Sequence, residues 1–241
     1  MTCPSRGGAT NGVRPLVLHF REAGSVAESL TITSERPTGS VELEASLALP
    51  GGDLYGGVVL CHPHPAGGGE MDVGLLVVIE RRLLTAGLAV LRFNFTGVGR
   101  STGYFSDGLQ EPGDVAAAME ALRSRTGLAS ELTGICGWSF GAWMCLMALA
   151  DGLDAAACVA IAPPLVLYDW RPVVERIAAS AAERHYIVGA NDQFCPLDFL
   201  EAFSTSLSPR DAENVTVLPA TDHYLFGRED AVADLVAEMM A

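Results

Sequence analysis

The chain contains no apolar run of the ~18 residues needed to span a bilayer. Residues 1–14 are polar and Gly-rich. They hold no apolar stretch of the kind a secretory signal needs, so the expected address is the cytoplasm. Basic charge is scarce: 15 Lys plus Arg stand against 29 Asp plus Glu, a formal net charge of −14. Phosphate backbones and anionic membrane surfaces need a basic face, so neither nucleic acid nor membrane is an expected partner. The negative charge itself reads as solubility. Cysteines are present but not in metal-ligand spacing. Cys61, Cys136, Cys145 and Cys158 lie in apolar segments, where a free thiol packs as a small hydrophobe. Cys195 reads the same way.

What the chain does have is core-forming capacity. Its 241 residues are 49% hydrophobic, with a mean hydropathy of +0.29, enough for one well-filled α/β domain. Residues 1–13 read as a loose tail and 14–241 as the domain. Strands are expected at Leu16–Phe20, Ser29–Thr33, Val41–Leu49, Gly57–Cys61, Leu88–Phe95, Leu132–Cys136, Ala156–Ala162, His185–Val188 and Val215–Leu218. Helices are expected at Leu75–Leu84, Asp114–Arg123, Ala142–Ala150 and Val232–Met240. The alternation implies βαβ units and a mostly parallel sheet after an antiparallel start. Residues 163–183 form the only sizeable insert, a small lid at most.

Two stretches read Gly-x-Ser-x-Gly: Gly99–Gly103 around Ser101 and Gly137–Gly141 around Ser139. The pattern marks a sharp strand-to-helix turn that exposes a serine hydroxyl. At this composition chance supplies roughly 0.2 matches per chain, so context decides. Ser139 follows a short apolar strand and precedes Ala142–Ala150, which is apolar all round and reads as a buried helix. Ser101 is separated from its strand and runs into Tyr104-Phe105-Ser106-Asp107-Gly108, a loop composition. Ser139 is therefore the expected nucleophile.

A serine hydroxyl needs an imidazole base, and the imidazole needs a carboxylate to fix its tautomer. Of His19, His62, His64, His185 and His223, only His223 lies in a loop just beyond a late strand. Asp192 lies in the loop after His185–Val188, at the strand end where open α/β sheets place their sites. Asp222 competes, but as the neighbour of His223 it is poorly placed to reach the ring. The order Ser139, Asp192, His223 suits a nucleophile-elbow enzyme. Two backbone N–H groups must hold the developing oxyanion. Phe140 is one candidate. The other comes from the loop His62-Pro63-His64-Pro65, where the prolines have no N–H and His64 is favoured over Ala66. His62 is then a hydrogen-bonding strut. A His-x-His metal site finds no further ligand cluster. Trp138, Phe194, Tyr224 and Leu225 flank these residues and suggest an apolar substrate pocket.

Together these pieces resemble the α/β-hydrolase superfamily, and within it a bacterial branch of small, nearly capless members with a His-Pro-His-Pro loop. The resemblance rests on Leu60–Pro65, Gly68-Gly69, Met71-Asp72, Leu91–Phe95, Gly97–Ser101, Gly103, Gly137–Gly141, Ile161–Pro164, Asp222-His223 and Gly227-Arg228. It implies the α/β-hydrolase fold, with an eight-stranded sheet, helices on both faces and a minimal lid. It also implies a Ser-His-Asp triad and no cofactor. It makes Gly99–Gly103 a wall beside the site. Relatives often have Arg where this chain has Thr96, and Asn-Lys where it has Val73-Gly74, so a charged contact near the pocket mouth is expected to be missing.

The leading expectation is a serine hydrolase of carboxylic esters or thioesters. A small ester or acyl substrate is its partner, and a homodimer is compatible with the reading. The alternatives are an acyltransferase or dedicated pathway enzyme using the same residues, or a non-catalytic small-molecule binder. Peptidase activity is disfavoured because no large cap or second domain is present to select peptides.

Overall fold

The computed structural model describes residues 18–20, 26–36 and 39–241. The expected tail, residues 1–13, and the first part of the strand expected from Leu16 lie outside them. Nine strands form one sheet: β1 Leu18–Phe20, β2 Val26–Arg36, β3 Gly39–Leu49, β4 Gly56–Cys61, β5 Leu88–Phe93, β6 Thr133–Trp138, β7 Ala157–Ile161, β8 Glu183–Gly189 and β9 Val215–Leu218. Their spatial order is β1-β2-β3-β5-β4-β6-β7-β8-β9. β2–β9 make the eight strands that the resemblance implies, and the three-residue β1, within the expected Leu16–Phe20, adds an antiparallel edge.

β2 and β3 form a long antiparallel hairpin, and β3 joins β5 antiparallel. From β5 onward every neighbour is parallel. The central strands read as continuous apolar runs because both faces are covered. In β4, Val59 and Cys61 face one core, while Val58 and Leu60 face the other. The first core is closed by α2 (Glu111–Thr126), α3 (Phe140–Ala150) and α5 (Leu197–Leu207). The second is closed by α1 (Gly74–Thr85) and α7 (Glu229–Met240).

Between α3 and α5 lies the five-residue α4 (Val174–Ala178), and after α5 the equally short α6 (Pro209–Glu213). Leu165 and Ile177, within the 163–183 insert, are buried in the first core, so this segment is anchored rather than detached. No helix among the described residues is long and apolar enough to cross a membrane.

β2 extends beyond the expected Ser29–Thr33. Ile32, Ser34 and Arg36 occupy alternate positions with Leu30, and two of those inward positions are polar, which hides the period. α2 begins three residues early. Pro112 is tolerated in its first turn, and Glu111 is buried there. The chain has no lysine, so every buried side-chain cation is a planar guanidinium, suited to two-pronged carboxylate pairing.

Candidate active site

The strand order reverses around β4: β5 flanks it on one side and β6 on the other. Loops leaving the C-terminal ends of β4 and β6 therefore diverge over one crevice, the usual ligand position in open α/β sheets. Cys61, the last residue of β4, is in register with Gly137 of β6. The His62–Gly69 loop and the Ser139 turn consequently start side by side.

Ser139 has φ 54° and ψ −116°, a left-handed conformation that a non-glycine residue adopts only when its surroundings enforce it. Its own N–H donates to the Ile161 carbonyl at 2.8 Å. The flanking glycines permit the approach. A Cβ on Gly137 would lie 2.3 Å from the Gly141 backbone, and one on Gly141 would lie 2.2 Å from the Cys61 carbonyl oxygen. The turn therefore presses helix α3 against the end of β4.

The Ser139 hydroxyl oxygen lies 2.8 Å from His223 Nε2. His223 Nδ1 lies 2.9 Å from each oxygen of Asp192. Asp192 Oδ1 also accepts the Phe194 and Cys195 N–H groups, both at 2.8 Å. All three residues are buried, and Ser139 retains 9% exposure. The structure thus brings together the three residues expected as nucleophile, base and orienter. Asp222 does not join them: it is exposed and accepts the Tyr224 N–H at 3.0 Å.

Phe140 N–H opens α3, where no preceding helical carbonyl can accept it. Neither it nor the His64 N–H has an acceptor among the described residues. The His64 ring packs edge-on to Phe140 at 5.3 Å, so the two expected donors belong to neighbouring residues. His62 is a strut. Its Nδ1 donates to the Pro63 carbonyl at 2.7 Å, and its Nε2 accepts the Phe95 N–H at 3.1 Å. Burial lowers its pKa to about 4, against the pull of the Pro63 carbonyl. Both nitrogens of His62 are therefore engaged and the ring is neutral.

Two of the four expected pocket residues, Leu225 and Trp138, pack on the core instead. Leu225 is fully buried in the core under α1 and α7 and lines no open surface. Trp138 packs on the same core and donates its indole N–H to the His223 carbonyl at 3.3 Å, so it braces the histidine loop. Phe194 stands edge-on to His223 at 4.8 Å, and exposed Tyr224 stands 5.8 Å from the same ring. Tyr224 also stacks on exposed Phe226. A second aromatic wall lies outside the expected pocket residues. Phe105 and Tyr168 gather around Phe140, and Trp143 stacks on Tyr168. Tyr104-Phe105 in a Gly-rich loop was its only signal in the sequence.

Ser101 is buried and committed elsewhere: its hydroxyl donates to the Asn94 carbonyl at 2.7 Å and accepts the Glu44 N–H at 2.9 Å. Thr96 instead meets a cation from β2. Arg36 donates to the Thr96 hydroxyl at 2.9 Å, to the Gln110 carbonyl and to Asp114. Cys195 is buried, as are Cys61, Cys136, Cys145 and Cys158. Burial pushes the Cys136, Cys145, Cys158 and Cys195 thiols up, away from thiolate reactivity.

Among solved structures, an alpha-beta serine hydrolase homologue from Coxiella burnetii superimposes with a TM-score of 0.73 at 25% identity, covering 88% of this chain and 97% of its own. A lidless a/b serine hydrolase from Xanthomonas campestris gives a TM-score of 0.71 at 26% identity, covering 87% and 92%. An uncharacterized protein of Rickettsia prowazekii is 28% identical over 172 residues, 69% of this chain and 70% of its own length. The model of the X-Pro dipeptidyl-peptidase (S15) family matches residues 21–181. That span is well over half of the chain, and it carries the elbow and the loop after β4: the protein belongs to the S15 family, within the α/β-hydrolase superfamily.

Proposed function

We propose that the protein is a serine hydrolase of carboxylic esters or thioesters that works through an acyl-enzyme on Ser139. One observation carries the reading: the unbroken hydrogen-bonded chain Ser139–His223–Asp192 at a strained strand-to-helix turn.

His223 Nε2 accepts the hydroxyl proton as Ser139 Oγ attacks the acyl carbon. Asp192 stabilises the imidazolium and keeps Nδ1 protonated. Charge on the tetrahedral oxygen falls to the free N–H groups of Phe140 and His64. The imidazolium then protonates the leaving alcohol or thiol. Water, activated by the same imidazole, releases the acid and restores Ser139. The aromatic faces on either side, Phe105 with Tyr168 and Phe194 with Tyr224, favour apolar acyl or alcohol groups.

The family match favours a second reading, cleavage of an amide after an X-Pro pair. Residues 163–183 are too short to build a large peptide-selecting cap, which supports the ester reading. A panel of 4-nitrophenyl esters of increasing chain length, run beside an X-Pro 4-nitroanilide, separates the two. The ester reading predicts a burst of nitrophenol and an acyl adduct on Ser139 by intact mass. Turnover of the anilide alone would overturn it.

A further inference from the structure

A second histidine–carboxylate pair lies against Phe140. The Ala66 N–H donates to His64 Nδ1 at 3.1 Å. The proton of this ring therefore sits on Nε2, which donates to Asp107 Oδ1 at 3.1 Å. The Tyr168 hydroxyl donates to the same oxygen at 3.3 Å. With both nitrogens occupied, His64 has no free lone pair to act as a base. The pair holds geometry instead.

The loop presenting Asp107 is built around a buried carboxylate. Glu111 is fully buried. It accepts the Ser106 N–H and hydroxyl, both at 2.7 Å, and the Gly108 N–H at 2.8 Å. These bonds close the turn with Asp107 at φ 55°, where an Asp or Asn side chain is tolerated better than most. The Asp107 side chain is largely exposed, yet the backbone beneath it is fixed. Phe105 from this loop packs edge-on to the His64 ring at 5.1 Å.

We infer that Asp107 is a positioning residue. It pins the His64 imidazole and thereby holds the His64 backbone N–H in place as the second oxyanion donor. The inference rests on the hydrolase reading above. Through Tyr168, the same carboxylate ties the loop after β4 to the 163–183 insert, so three chain segments are fixed at one oxygen. An exposed pair of this kind adds little to stability. Its effect is positional, and a small displacement of a donor is costly in rate.

Asp107→Gly deletes the carboxylate without straining the positive φ, and Asp107→Asn keeps an acceptor at Oδ1. In Asp107→Gly we expect kcat on esters to fall on the order of tenfold with KM within about twofold. That is a fraction of the roughly 100-fold that outright loss of an oxyanion donor costs. Asp107→Asn recovers most of kcat. Amide hydrogen exchange at Ala66 through Gly69 accelerates in the glycine variant and not in the asparagine variant, while the melting temperatures stay close to wild type. Unchanged exchange together with unchanged kcat in Asp107→Gly overturns the inference while leaving the hydrolase reading intact. Equal losses in kcat for the glycine and asparagine variants overturn it as well. Exchange is read on unliganded protein, so it scores the latch even if wild type turns over no ester; inert wild type sinks the hydrolase reading instead, and the catalytic half of the inference with it.

Discussion

Asp192 meets His223 with both carboxylate oxygens, each 2.9 Å from Nδ1, while Oδ1 also holds the Phe194 and Cys195 N–H groups. An amide at this position would keep its oxygen for the two backbone donors and turn its NH2 toward Nδ1. The imidazole would then carry its proton on Nε2 and could not accept one from Ser139. We expect Asp192→Asn to lower kcat on esters by on the order of 10⁴ with little change in KM or melting temperature. A loss under tenfold in steady-state kinetics would remove Asp192 from the mechanism.

Gly141 packs where no side chain fits. A Cβ there would lie 2.2 Å from the Cys61 carbonyl oxygen and 2.7 Å from that of His62. Both obstacles are backbone and cannot rotate aside. Gly141→Ala should cost about 3 kcal/mol or more in urea unfolding, as overpacking of a tight contact does. Near-wild-type stability would mean that the elbow and β4 are not pressed together as described.

His62 gives the fold an acid-sensitive element. Its pKa falls from 6.5 to about 4 on folding, chiefly because burial disfavours the charged ring. The unfolded chain therefore binds a proton that the folded one refuses. This contribution is fully present above pH 6.5 and is lost as the pH falls toward 4, amounting to about 3 kcal/mol over that window. His62→Gln should flatten the stability profile between those limits, measured by denaturant unfolding at several pH values. A slope identical to wild type would contradict the assignment.

Arg36 and Asp114 form a nearly buried pair, with side chains 6% and 0% exposed. Burial pushes the Asp114 carboxyl up, opposed by the Thr96 N–H and by Arg36. Removing only the cation strands a carboxylate in the core, so Arg36→Met should destabilise by about 3–5 kcal/mol. Adding Asp114→Asn should return much of that loss. Additive effects in the double-mutant cycle would show that the two residues do not act as a pair.

The layout of the site was legible because each of its parts has a local signature. A Gly-x-Ser-x-Gly between an apolar strand and an apolar helix, an aspartate after one late strand and a histidine after the next are visible one segment at a time. The central strands were legible because both of their faces are buried, which leaves unbroken apolar runs. The residues that fix the rest carry no such local signal. Arg36 points inward from a strand position where an apolar residue is expected, and its partner Asp114 is 78 residues away. Asp107 looks like an ordinary turn residue until Glu111 closes its loop and His64 arrives from 43 residues upstream. Leu225 was misread for the converse reason: adjacency to His223 in sequence says nothing about which way a side chain faces, and its own points into the core.

Labelling with a fluorophosphonate probe, followed by peptide mass spectrometry, tests the central claim most directly. The account predicts stoichiometric modification of Ser139 in wild type and none in Ser139→Ala. Ser101→Ala should still label at Ser139, because the Ser101 hydroxyl is bound to the Asn94 carbonyl and the Glu44 N–H. An unlabelled wild type, or equal labelling of Ser139→Ala, would contradict it.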